Sequence, residues 1–414
     1  MLNIDIDTRC LSAEIEELST ISAAEPPAVT RIVFTPADLK ARAWLRGQCE
    51  NAGLSVRQDA IGNTFVRWEG SDPHAPAVGT GSHIDAIPNA GKYDGVVGVL
   101  GGLEAIRALQ RAGFRPTHSI ELLVFTSEEP TRFGIGCLGS RLLSGTLSPD
   151  AARKLVDKEG VSLEEVRRGA ALQGELEAVK LHEGYYKAFV ELHIEQGPVL
   201  EQQQIPLGIV SKIAAPASLS LTIHGSGGHA GAVLMPDRKD ALCAAAELIL
   251  AIETAARSSG APDTVATVGI CDVFPGAVNS IPSRVQLTAD IRDTDLPRRD
   301  AVVMQAVDAA CHAIAAKRQV SIQQELINAD APAACAPEIT EALTEACRKH
   351  KLTFLPMVSR AYHDSLFMSR IAPVAMLFIP CYKGYSHRPD EFASPEDIAR
   401  GTLVLAETLA ALSS

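Results

Sequence analysis

Along this chain, short apolar runs alternate with stretches whose apolar positions recur at helical spacing, so strands and helices are predicted in turn. Residues 77–82, 119–125, 189–194 and 374–379 are apolar runs of strand length, and residues 96–109 carry the helical period. Thr35-Pro36-Ala37-Asp38 predicts a helix start: a capping Thr, Pro at the first helical position and an acid in the first turn. A strand–turn–strand follows, turning at Ile61-Gly62-Asn63. Such alternation predicts an α/β protein with a mixed, mostly parallel sheet covered by helices. Residues 150–185 are charged and helical in flavour and read as a surface excursion.

The pattern changes near residue 213. Residues 219–224 alternate as a strand, 237–256 form a long helix, 264–272 and 285–293 are strands, 298–316 is helical and 320–326 is a strand. The order β-α-β-β-α-β is the ferredoxin-like plan, complete in itself. After Pro332 the α/β character resumes, with a helix over 338–350, the strand 374–379 and a helix over 395–412. The expected organisation is a discontinuous α/β domain, residues 1–212 and 331–414. Residues 213–330 would interrupt it as an inserted ferredoxin-like α+β lid and dimerisation domain.

A chain of 414 residues accommodates two or three domains and a sizeable core. Thirty-eight Lys and Arg stand against 50 Asp and Glu, and the net charge of −12 argues against nucleic acid and anionic membranes as partners. The longest apolar stretch, 241–256, contains Glu247 and Glu253 and falls short of the ~20 residues a membrane span needs. Residues 1–10 carry Asp5 and Asp7 and no apolar core, unlike a signal peptide. The nine cysteines include no CxxC pair and read as reduced thiols of a cytoplasmic protein. Any metal must then be held by His, Asp and Glu.

Four predicted strands run directly into such residues: 77–82 into His83, 119–125 into Glu128 and Glu129, 189–194 through His193, and 374–379 toward His387. Ligands of open α/β sheets bind outside the carboxyl ends of the strands. Asp94 sits where the helix 96–109 begins, a place that favours an anion and from which a carboxylate could bridge two cations. His83, Asp94, Glu129, His193 and His387 offer nitrogen and carboxylate donors and no thiolate, a set suited to Zn, Mn, Co or Ni. Of the neighbours Glu128 and Glu129, one can ligate while the other takes a proton from the attacking water. Asp85, two residues after His83, can orient that imidazole through its other nitrogen. Singly, each has a plainer reading: a structural histidine, a solvated turn, a helix cap. Their convergence on one rim of one sheet favours a metal centre.

These segments resemble the M20 metallopeptidase-type family in its amidase/hydantoinase/carbamoylase branch. The matching stretches are Gly79-Thr-Gly-Ser-His-Ile-Asp85, Gly91-Lys-Tyr-Asp-Gly-Val-Val-Gly-Val99, Phe125-Thr-Ser-Glu-Glu-Pro130, Leu192-His-Ile-Glu-Gln-Gly197 and His387. The resemblance implies a zinc-peptidase-like catalytic domain with two divalent metal ions per subunit, Mn2+ before Zn2+, Co2+ or Ni2+. It places His83, Asp94 and His193 on one ion and Asp94, Glu129 and His387 on the other, with Glu128 as general base. Ile213-Ala-Ala-Pro-Ala217, Gly227-Gly-His-Ala-Gly-Ala-Val-Leu-Met-Pro236, Ser359-Arg-Ala-Tyr-His-Asp-Ser-Leu-Phe367 and Ile379-Pro-Cys-Tyr-Lys-Gly-Tyr-Ser-His387 are similar to the ureidoglycolate-cleaving members of the branch. Carbamoyl-amino-acid and allantoate members differ at these places and remain the alternatives. A non-catalytic binding or scaffold protein on the same fold would be expected to lack a ligand or the base, and none is missing.

Candidate substrate contacts complete the reading. His229 follows Gly225-Ser-Gly-Gly228, and the resemblance implies that it polarises the scissile carbonyl across a homodimer. Arg292 points to the opposite face from Val285, Leu287, Ala289 and Ile291, and a guanidinium there suits a substrate carboxylate. Asn279 can bind that carboxylate or the ureido group, Gln196 can face the ureido nitrogen, and Tyr362 and His363 can read a substrate hydroxyl. The expected partners are thus a small ureido carboxylate and a second copy of the chain.

Overall fold

The computed structural model describes residues 2–414. The chain forms two units: one contains the chain up to Ser211, Ala334–Met357 and His363–Ser414, the other Lys212–Ala333 and Val358–Tyr362.

In the first unit the strands Val374–Ile379, Tyr186–Ile194, Ala77–His83 and Ile120–Phe125 lie side by side in that order, all parallel. Antiparallel strands flank them: Thr64–Trp68 and then Ser55–Gln58 on one side, Leu207–Ile213 on the other. Every residue of Ala77–His83, Ile120–Phe125 and Val374–Ile379 is buried, as strands covered on both faces require. Helices Val96–Arg111 and Pro395–Ser413 pack together and against these strands. All the parallel strands therefore deliver their carboxyl ends to the same edge.

Residues 150–185 are more than a surface excursion. They hold the short helices Pro149–Arg153 and Leu163–Gly169. Ala152, Leu163, Val166, Leu176 and Val179 join Phe125 and Phe189 in one apolar cluster, so the charged residues that mark the segment as surface conceal a core-forming side. The helix Pro36–Asn51 begins where predicted, but Thr35 does not cap it. Its hydroxyl donates to the Ile32 carbonyl, and the Asp38 carboxylate accepts from the Phe34 amide and from Arg42.

The second unit has an antiparallel sheet in the order Val265–Phe274, Arg284–Asp293, Ala215–His224, Ser321–Ala329. In chain order that is second–third–first–fourth, the ferredoxin-like arrangement. Leu219, Leu221, Ile223, Val285, Leu287, Ala289 and Ile291 face one way and pack with Leu248, Ile252, Val307 and Ile314 of its two long helices. The first of these spans Ala241–Ser258, later than the pattern predicts. Asp240 caps it by accepting from the amides of Leu242 and Cys243. All nine cysteines are free thiols. No helix among the described residues is long and apolar enough to cross a membrane.

Candidate metal centre

At the shared edge of the parallel strands, Asp94 stands between two groups of ligand atoms. Its Oδ1 lies 3.2 Å from His193 Nε2 and 3.6 Å from His83 Nε2. Its Oδ2 lies 3.2 Å from His387 Nε2, which is also 3.2 Å from Glu129 Oε1. Donors held ~2.1 Å from one ion in tetrahedral array sit about 3.4 Å apart, so both groups have the spacing of a metal site.

Backbone contacts aim the two buried imidazoles. His83 Nδ1 lies 3.0 Å from the Asp85 carbonyl and His193 Nδ1 lies 2.9 Å from the Ile194 carbonyl. Each Nδ1–H therefore donates to backbone and turns Nε2 toward Asp94, where His193 Nε2 also accepts from the Gly95 amide at 3.2 Å. Asp94 precedes the helix Val96–Arg111, whose N-cap is Gly95 with φ +66°. A Cβ at Gly95 would stand 2.5 Å from the His83 ring, so only glycine lets the helix start this close to the imidazole.

Carboxylates dominate the field at the centre. Burial alone would raise the Asp94 carboxyl, but hydrogen bonds from His193, His387 and His83 hold it well below the usual carboxylate range. Asp94 and Glu129 raise His387 to about 11. Burial would lower His83 and His193, yet the surrounding carboxylates, Glu128 for His83 and Asp94 for His193, raise both. What favours protons on these nitrogens also favours a divalent cation in their place.

Glu128 and Glu129 diverge. Ser127, at φ +55°, breaks the strand direction just before them. Glu129 faces His387, whereas Glu128 Oε2 lies 3.8 Å from His83 Nε2 and its Oε1 accepts from the Cys137 thiol at 3.6 Å. Burial, reinforced by the charge of Glu129 and offset in part by His83, raises the Glu128 carboxyl well above its ordinary value. Asp85 lies against the other nitrogen of His83 through both its carbonyl, 3.0 Å from Nδ1, and its carboxylate Oδ1, 3.7 Å from Nδ1. The carbonyl is the closer of the two, and the carboxylate oxygens also accept from the amides of Glu128 and Glu129 at 3.2 and 3.1 Å.

The expected substrate contacts divide between the units. In the first, Gln196 Nε2 donates to Asp94 Oδ2 at 2.8 Å and approaches Ser386 Oγ at 3.1 Å, while its Oε1 is buried without a partner. The amide nitrogen is thus tied to Asp94, while the oxygen has no hydrogen-bond partner among the described residues. His363 is 2% exposed, with its ring 4.4 Å from that of His193. In the second unit, His229 is exposed and pairs with Ser280, and the Ala230 amide donates to the Asn279 carbonyl. Arg292 holds Asp290 with Nε at 2.7 Å and Nη2 at 3.3 Å, and its guanidinium lies 5.3 Å from the Tyr362 ring.

Sequence reasoning missed Cys137, Ser386, Glu391 and Glu191. Glu191 had a signal: two residues before His193 on one strand, it shares that residue's face. Glu191, His193 and His363 form a third group of ligand types. Glu191 already accepts from Ser82 Oγ, the Ser365 amide and Ser365 Oγ, and both His193 nitrogens are engaged, so this group needs no ion.

The profile of peptidase family M20/M25/M40 matches residues 79–411. Ureidoglycolate hydrolase of Arabidopsis thaliana is 51% identical over 99% of this chain and 88% of that protein. N-carbamoyl-L-amino acid amidohydrolase of Geobacillus stearothermophilus is 39% identical over 95% of each. Among solved structures, that of AtUAH in complex with glyoxylate, 51% identical, matches 99% of this chain and 98% of its own with a TM-score of 0.91. Profile, relatives and a centre of His, Asp and Glu suited to divalent metal agree, and the chain belongs to peptidase family M20/M25/M40.

Proposed function

We propose that this protein is a dinuclear metal-dependent amidohydrolase that cleaves a linear ureido C–N bond, with ureidoglycolate as substrate. The observation that carries the metal reading is Asp94, whose two oxygens face two separate ligand groups. His83, His193 and Asp94 would hold one ion, and Asp94, Glu129 and His387 the other, with Mn2+ first among Mn2+, Zn2+, Co2+ and Ni2+. Ions bound there polarise the substrate carbonyl and acidify water. The substrate reading is supported by the 51% identity to a ureidoglycolate hydrolase against 39% to a carbamoylase. AtUAH, 51% identical, has also been solved in complex with (S)-hydroxyglycine.

In this reading Glu128 takes a proton from the attacking water and returns it to the departing nitrogen. Its carboxylate is buried beside the ligand His83, with Oε2 3.8 Å from His83 Nε2, a position from which it reaches water at the centre. Cleavage yields carbamate, which decays to CO2 and ammonia, and hydroxyglycine, which collapses to glyoxylate and ammonia. His229 donates to the developing oxyanion. Arg292, which holds Asp290 through Nε and Nη2 and the Arg360 carbonyl through Nη1, takes the substrate carboxylate, with Asn279 beside it, and Tyr362 and His363 read the hydroxyl. The inserted unit serves as lid and dimer interface of a cytoplasmic homodimer. Ammonia release from ureidoglycolate, allantoate and an N-carbamoyl-L-amino acid, assayed side by side with Mn2+, tests the proposal. Ureidoglycolate should be turned over with the highest kcat/KM. Preference for either alternative would reassign the substrate while leaving the centre in place.

A further inference from the structure

We propose that Glu391 is a positioning residue that clamps Asp94 to the His387 loop and thereby sets the affinity of the ion on the His387 side. This rests on the metal reading above. The ligands are held unequally. His83 and His193 are buried and anchored through Nδ1 to backbone carbonyls. The His387 side chain is 47% exposed, its φ is +60°, and no hydrogen bond from its Nδ1 occurs among the described residues. Something other than its own burial must hold that imidazole in place.

Glu391 supplies the tie. Its carboxylate is buried and forms no ion pair among the described residues. Oε1 accepts from the amides of Tyr93 and Asp94 at 2.8 and 3.1 Å. Oε2 lies 3.0 Å from Ser386 Oγ, which in turn lies 2.9 Å from Asp94 Oδ2. One carboxylate thus spans the backbone that carries Asp94 and the residue next to His387. The loop before Asp94 is shaped around it: a Cβ on Gly91 would stand 2.3 Å from Glu391 Cβ and 2.5 Å from its Oε1. Burying a carboxylate costs free energy, and the donors collected here offset that cost only while both loops stay in register. Groups that orient metal ligands in this way commonly change affinity by ~10–100-fold when removed.

The experiment is chelator competition with Mn2+ on the full chain, alongside thermal melts of the metal-free protein. Wild type should bind two ions per subunit. In Glu391→Ala, one ion should weaken by about 10–100-fold while the other keeps its affinity. His387→Ala should weaken the same ion. Glu391→Gln keeps an acceptor for the two amides and an NH2 group for Ser386 Oγ, so it should hold both ions to within roughly threefold of wild type. The clamp is overturned if Glu391→Ala binds both ions as wild type does, or weakens both alike, whether or not the metal-free Tm falls. It is equally overturned if Glu391→Gln fails as badly as alanine. A wild type that binds no pair of ions overturns the centre itself, a result distinct from intact binding by the alanine variant.

Discussion

Glu128 and Glu129 are chemically identical neighbours with different surroundings. Glu129 meets His387 at 3.2 Å, while Glu128 has a thiol on one oxygen and the His83 ring beyond the other. Glu128→Gln should therefore keep bound metal and lose turnover by ~10²–10⁴-fold or more, since the amide preserves shape but accepts no proton. Metal analysis beside the rate checks this; loss of metal together with activity would make Glu128 a ligand. The substrate contacts admit a similar separation. Arg292→Ala should weaken all carboxylate substrates together, by roughly 2–5 kcal/mol in transition-state binding, because a desolvated carboxylate loses a charge-assisted partner. His363→Ala should harm ureidoglycolate more than an N-carbamoyl amino acid, which has no hydroxyl to read. Comparing kcat/KM for both substrates decides it; equal losses would reduce His363 to packing on His193, against which its ring lies. The ligand residue types were legible because strand ends announce themselves in sequence. Glu391 and Cys137 were not, since loops bring them to Asp94 and Glu128 and no periodicity marks a loop contact.

Elements make the centre by ending in the right place. Parallel pairing aligns the carboxyl ends of Ala77–His83, Ile120–Phe125, Tyr186–Ile194 and Val374–Ile379, so four separate segments lead toward one site. The continuous apolar runs made these strands readable, and the alternation in Arg284–Asp293 made the second sheet readable with its buried face correctly assigned. The segment 150–185 misled because charge is counted along the chain whereas burial is decided by side. The start of the helix Val96–Arg111 shows how tight the fit is. At Gly95 an added methyl would meet the His83 ring at 2.5 Å and would also strain a backbone at φ +66°. Gly95→Ala should cost about 1 kcal/mol from the backbone alone. Displacement of His83 should add a larger loss of metal affinity. Thermal melts with and without Mn2+ would register this as a stabilisation by metal smaller than that of wild type; an unchanged metal response would mean the ring yields without loss of its ligand role.

For the whole molecule, the question is why chemistry should be divided between two units. The first carries the proposed ligands and base, while His229, Asn279, Arg292 and Tyr362 all belong to the second. His229 is exposed on a strand pair with Ser280, and the adjoining Leu234, Met235 and Val278 are exposed apolar residues. Exposed apolar side chains gathered beside the proposed oxyanion donor suit a surface that a second copy of the chain would cover. A closed two-fold dimer is the commonest way for one chain to provide that cover, and it lets one subunit supply the base and its partner the oxyanion donor. If so, His229→Ala and Glu128→Gln damage different halves of each composite site. Each variant alone should be nearly inactive, while a mixed dimer rebuilds one site with both residues intact and leaves the other doubly damaged. Random subunit exchange places about half of the dimers in that mixed form, each with one working site, so the mixture should recover about a quarter of wild-type activity. Mass spectrometry of differently tagged subunits would verify exchange, and recovery should follow the mixed fraction. Verified exchange without recovery would place His229 and Glu128 in the same subunit's site.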